Sequence, residues 1–224
     1  MQKIKAPRIE FEPTKMHFLH KGEKLTAAHP FYGRANSINL RRQIRSDGYK
    51  EPTSAELTSF VHEYFNGRES QAQEVNGIMR NSYFRGFTGI LYLPNERLAH
   101  FIDNPEFDAN SVVDRDNLLR RLSESRAQVP FEHLKEGAVN WRGIANHPYF
   151  IAWADGREGA EKLSELASKH PRQEAYSWIP NFEDLREPIA RVAALDSNGF
   201  GLRLGVVADD SGDNGGRCSF GVLN

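Results

Sequence analysis

The chain has 224 residues, 39% of them hydrophobic, including 14 Phe, 7 Tyr and 3 Trp, and a formal net charge of −1. That supply of large apolar side chains excludes a disordered chain, and the near-zero charge excludes a strong field over the whole molecule. Cys218 is the only cysteine, which excludes an intrachain disulfide and a multi-cysteine zinc site.

No stretch approaches ~18 uninterrupted apolar residues, and the first residues lack the apolar run of a signal peptide, so a soluble cytoplasmic protein with no membrane partner is expected. The balanced total hides an asymmetry. Residues 1–50 hold eleven Lys/Arg against four Asp/Glu, a net +7, and the remainder therefore carries −8. Such a split points to a basic surface that meets something acidic, or to two parts that meet each other.

Residues 1–50 contain Pro7, Pro13 and Pro30 and little sustained periodicity. They read as a basic, loop-rich N-terminal segment packed on the rest, with short strands over Arg8–Glu12 and Met16–His20. The stretch NSINLRRQIRSDG fits a short helix or a strand ended by Asp47-Gly48. Residues 51–224 read as a single α+β domain. Thr53 and Glu56 form a capping box, and Leu57, Phe60, Val61, Tyr64 and Phe65 follow at helical spacing. A second helix is predicted from about Ser70 to Ser82, burying Ala72, Val75, Ile78 and Met79.

GFTGILYLPNERLAHFID reads as two strands around Pro94-Asn95, the first apolar on both faces and hence central. A helix with Ser111 and Asp114 as cap candidates follows, and residues 127–147 read as loop. Tyr149–Ala154 reads as a strand leading into a helix capped by Asp155 and Glu158. EAYSWIP is another strand. Two apolar runs around Asn198-Gly199 make a hairpin, and RCSFGVL completes a C-terminal three-stranded meander with Cys218, Phe220 and Val222 inside. The expected architecture is a mostly antiparallel sheet of about five to seven strands, with three or four capped helices on one face.

Asp209, Ser211 and Asp213 alternate as in a calcium loop, but the sixth and twelfth places hold Asn214 and Phe220 where Gly and Glu are needed. The stretch is therefore a polar turn. ADGREGAEK has neither phosphate-loop spacing, and Asp155 and Glu158 would repel the phosphate. His17, His20 and His29 lie close in sequence with Glu23, yet no cysteine or fixed carboxylate completes a metal site, so neither metal nor cofactor is expected.

The most suggestive stretch is FYGRANSINLRRQIRSDGYK. Arg34, Arg41, Arg42, Arg45 and Lys50 are interleaved with Tyr32 and Tyr49 (and Phe31), pairing cations for phosphates with rings for bases. A solvated basic face, or one paired with the acidic remainder, would carry the same pattern. The leading expectation is a non-enzymatic binding or accessory protein whose basic N-terminal region contacts nucleic acid or an acidic protein. One alternative is a hydrolase-like enzyme with a pocket of dispersed residues, to be sought among His100, Asp103, His147, Asp155 and Arg191. Another is a homo-oligomeric structural protein.

Overall fold

The computed structural model describes residues 15–65, 67, 69–182, 185–197, 202–209 and 217–223. It opens with a hairpin of β1 (Met16–His20) and β2 (Glu23–Ala27), turned through Lys21 and Gly22 in left-handed conformations. The expected strand over Arg8–Glu12 lies outside the described residues. Helix α1 (Ser37–Ser46) follows, its first turn held by Asn36, whose side chain accepts from the Asn39 N–H.

Helix α2 (Ser54–Tyr64) has the predicted capping box. The Glu56 N–H donates to Thr53 Oγ1 at 3.2 Å, and the Thr53 N–H donates to Glu56 Oε2 at 2.7 Å. Its stripe of Leu57, Phe60 and Val61 is fully buried. Helix α3 (Ser70–Asn81) buries Ala72, Val75 and Met79 as its spacing predicts, while Ile78 is only partly buried.

Strands β3 (Tyr83–Leu93) and β4 (Leu98–Asp103) form the expected antiparallel pair, and β3 is buried on both faces from Phe84 onward. A register shift between Arg85 and Gly89 swings Phe87 towards α1, where it packs with Leu40 and Ile44. Helix α4 (Arg115–Arg120) is capped by Asp114, not by Ser111, which sits buried at φ 62°. Residues 127–147 prove more ordered than a loop. They hold β5 (Ala127–Pro130), a 3₁₀ turn at Phe131–His133, β6 (Gly137–Asn140) and helix α5 (Trp141–Ile144).

The run predicted as a strand at Tyr149–Ala154 is helix α6 (Pro148–Trp153), with Pro148 in its first turn and His147 as cap. The next helix, α7 (Arg157–Ser168), starts from Gly156 at φ 122° and has no side-chain cap, so Asp155 does not cap it. Asp155 instead pairs with Lys21 and Arg126. Strand β7 (Glu174–Trp178) is as expected, and β8 (Ile189–Asp196) pairs antiparallel with β9 (Leu204–Asp209). The Asn198-Gly199 turn between them falls outside the described residues.

The C-terminal meander is corrected. After β9 the chain does not return beside it. Strand β10 (Arg217–Cys218) runs parallel to the start of β3, and β11 (Val222–Leu223) pairs antiparallel with β2. The expected inward set holds, since Cys218, Phe220 and Val222 are all buried.

Among the described residues, seven α-helices surround an eight-stranded sheet of order β5-β4-β3-β8-β9-β7-β6, with β10 beside β3, and a three-stranded sheet of order β1-β2-β11. The pairing is mostly antiparallel, β7–β9 and β10–β3 being parallel. The sheet is thus one strand larger than the expected upper bound. Helices also cover both faces and not one. Side chains of α2, α3, α6 and α7 share the main core, while α4 packs Leu118 on Leu91, Ile102 and Val192, and α1 packs on Phe87.

Candidate functional site

The C-terminal segment shapes the site. The Tyr32 N–H donates to the Ser219 carbonyl at 2.9 Å, and the Ser219 N–H returns to Tyr32 O at 2.8 Å. The Lys50 N–H donates to Val222 O at 3.1 Å, the Val222 N–H to Lys50 O at 2.8 Å, and the Ala28 N–H to Gly221 O at 2.8 Å. The connection after β2 and the turn after α1 are therefore both tied to residues 219–222. Gly221 is needed there, because a Cβ would lie 2.3 Å from the Cβ of Tyr49.

These ties open a pocket of about 540 Å³ lined by residues 28–33 and by Gln43, Asp47 and Tyr49. Such a volume lies within the range usual for small-ligand sites. Tyr32 and Tyr49, both half-buried, stand in its wall, backed by Leu40, Ile44 and Phe87. The Tyr32 hydroxyl donates to Asp47 Oδ2 at 2.9 Å. Burial, helped by that bond to a carboxylate, raises the Tyr32 pKa, so the phenol stays a donor. Phe31 anchors the floor edge-on to Phe60 and Phe84, at 5.7 and 5.4 Å. His29 is held at 2.8 Å by Glu74. Asp47 is exposed and makes no ion pair among the described residues.

The five basic residues expected beside these rings divide into two groups. Arg41 is only 7% exposed, with Nε 2.7 Å from Glu51 and Nη1 3.0 Å from Glu106, and its guanidinium lies over Phe107. Burial lowers its pKa, and the two carboxylates oppose that shift. Arg45 shares Glu51 at 2.8 Å, and Lys50 lies 3.5 Å from Glu56. Arg34 and Arg42 are exposed and make no ion pair among the described residues, Arg42 donating only to Asn39 Oδ1 at 3.2 Å. Each stands one residue from a wall residue, Gly33 and Gln43 respectively.

The other candidates separate. His17 faces Thr26, His20 faces Ser59 and His29 faces Glu74, and no group of three His, Cys, Asp or Glu side chains among the described residues is placed to hold a metal ion. Of the five dispersed polar residues, Asp103 and Asp155 meet at Arg126, at 3.1 and 3.7 Å. Arg126 also donates to Ser54 Oγ and to the carbonyls of Ala152 and Trp153, so it ties α2 and α6 to the sheet. His100 is buried beside Glu96, and His147 caps α6. Arg191 lies in a separate groove with Tyr83 and Trp178, which are 40% and 44% exposed. The structural importance of Arg126 was invisible in the sequence, where it follows a polar helix with no motif. The carboxyl loop beyond Asp209 lies outside the described residues.

No family model and no curated protein matches the chain. One solved structure does, described as the accommodation of massive sequence variation in Nanoarchaeota by the C-type lectin fold. It is 12% identical, has a TM-score of 0.60, and is matched over 94% of this chain and 98% of its own. The fold is C-type lectin-like. At that identity the likeness extends to the path of the chain and not to its side chains. No helix among the described residues is long and apolar enough to cross a membrane.

Proposed function

We propose that this chain is a non-enzymatic, cytoplasmic binding protein that takes single-stranded nucleic acid at the pocket between residues 28–33 and the end of α1. The observation that carries the reading is the convergence of Tyr32 and Tyr49 in one pocket, with Arg34 and Arg42 exposed beside it and unpaired among the described residues. Rings that accept a base and cations that accept the adjoining phosphates are the minimum for such binding. A duplex is disfavoured, because it demands a broad cationic surface and Arg41, Arg45 and Lys50 are taken up by Glu51, Glu106 and Glu56. The neighbour's description, in which the C-type lectin fold accommodates massive sequence variation, supports a scaffold whose core is independent of what its surface binds. A single buried cysteine suits a reducing compartment.

Equilibrium titration with a mixed-sequence single-stranded oligonucleotide tests the proposal. Tyr32→Leu and Tyr49→Leu keep apolar bulk but remove the rings, and each is expected to weaken binding about tenfold or more, as loss of one base stack does. Arg34→Ala with Arg42→Ala is expected to weaken it further. Binding that is absent, or indifferent to all four substitutions, would refute the reading.

A further inference from the structure

The pocket carries a carboxylate where a nucleic-acid site would be expected to carry only cations. Asp47 lines it, is exposed, and accepts from two hydroxyls, those of Tyr32 (2.9 Å) and Ser46 (3.4 Å). A carboxylate repels phosphate, so the group that meets Asp47 must be a donor. An ionised carboxyl has about four lone-pair sites and no proton to give. The two hydroxyls leave room for two further donors.

Resting on the nucleic-acid reading above, we infer that Asp47 makes the pocket selective for guanine. The Watson–Crick edge of guanine offers two adjacent donors, the ring N1–H and the exocyclic N2–H, which match the two oxygens of a carboxylate. Uracil and thymine present one N–H flanked by two carbonyl oxygens, which would face the carboxylate with like charge. Adenine and cytosine each offer an exocyclic amine beside a ring acceptor. Only guanine satisfies both oxygens at once. The base edge is read in this way once the base is unstacked and laid on an aromatic ring, and Tyr32 and Tyr49 in the pocket wall offer such rings. Gln43, at the same wall, adds an amide that can donate to the guanine O6.

The test is competition by mononucleotides against a bound mixed-sequence oligonucleotide. Guanosine monophosphate is expected to compete about tenfold better than uridine monophosphate, the discrimination typical of a bidentate base contact. Inosine monophosphate, which lacks the N2 amine, should fall between them. Asp47→Asn keeps an acceptor for the Tyr32 hydroxyl but pairs poorly with two donors, and should bring guanosine and uridine monophosphate to equal competition. Equal competition by all four mononucleotides, or an unchanged preference in Asp47→Asn, would overturn the inference and leave the binding reading standing. Competition by tetramethylammonium but not by guanosine monophosphate would overturn it too, assigning the rings and Asp47 to a cation. If no oligonucleotide binds at all, the broader reading fails with it.

Discussion

Arg41 and Arg42 are adjacent in the chain, yet one is buried between Glu51 and Glu106 while the other projects into solvent. Arg41→Ala would leave Glu51 buried with Arg45 alone and is expected to cost about 3 kcal/mol, the lower end for a broken buried pair. Arg42→Ala should change stability by less than about 0.5 kcal/mol. Urea unfolding of the two variants measures the contrast. Asp196 shows the reverse situation. Burial raises its pKa to about 7, and one of its carboxylate oxygens has no hydrogen-bond partner among the described residues. A raised carboxyl pKa costs stability once pH exceeds the unfolded value near 3.8, the cost growing until about pH 7 and staying constant above it. Asp196→Asn should therefore stabilise the fold by up to roughly 4 kcal/mol at pH 8 and by almost nothing at pH 4, since each pKa unit corresponds to about 1.4 kcal/mol. Thermal melts at the two pH values check the sign, and equal effects at both would contradict it.

At the scale of elements, the last residues act as a keystone. Phe220 is fully buried, 4.3 Å ring to ring from Phe60, and β11 closes the small sheet. Phe220→Ala is expected to cost about 3–5 kcal/mol, as aromatic truncations in packed cores do. Gly221→Ala should also cost stability, since its methyl would lie 2.3 Å from the Cβ of Tyr49, and should displace Tyr49, weakening ligand binding. Nucleotide titration alongside urea unfolding separates the two effects. The local signals that were legible in the sequence are those complete within a dozen residues. Helix α2 is legible because its capping box and apolar stripe lie together. Helix α6 did not, because YFIAWA is apolar at almost every position and periodicity cannot tell a buried helix from a buried strand. Pro148 after His147 was the available signal, since proline favours the first helical turn. The alternation in RCSFGVL gives the right inward residues, but its partners, β3 and β2, lie more than a hundred residues away and leave no local mark. A separation of 65 residues likewise hid Glu106 from any reading of Arg41.

For the molecule as a whole, the +7 of residues 1–50 is partly consumed inside the fold. The basic stretch and the acidic remainder meet at Glu51, Glu56 and Glu106, so three of the five cations near the rings already pair with a carboxylate. What the sequence showed was the presence of rings and cations in one stretch. What it could not show was that residues 219–222 fold back to gather the rings and that carboxylates claim most of the cations. The consequence is quantitative. For single strands, log K falls against log salt concentration with a slope of about −0.7 for each phosphate neutralised. The decisive measurement is that slope for a mixed-sequence single-stranded oligonucleotide. Two available cations predict a value of about −1.4. A slope near −3.5, as five open cations would give, or binding that does not respond to salt at all, would contradict the account.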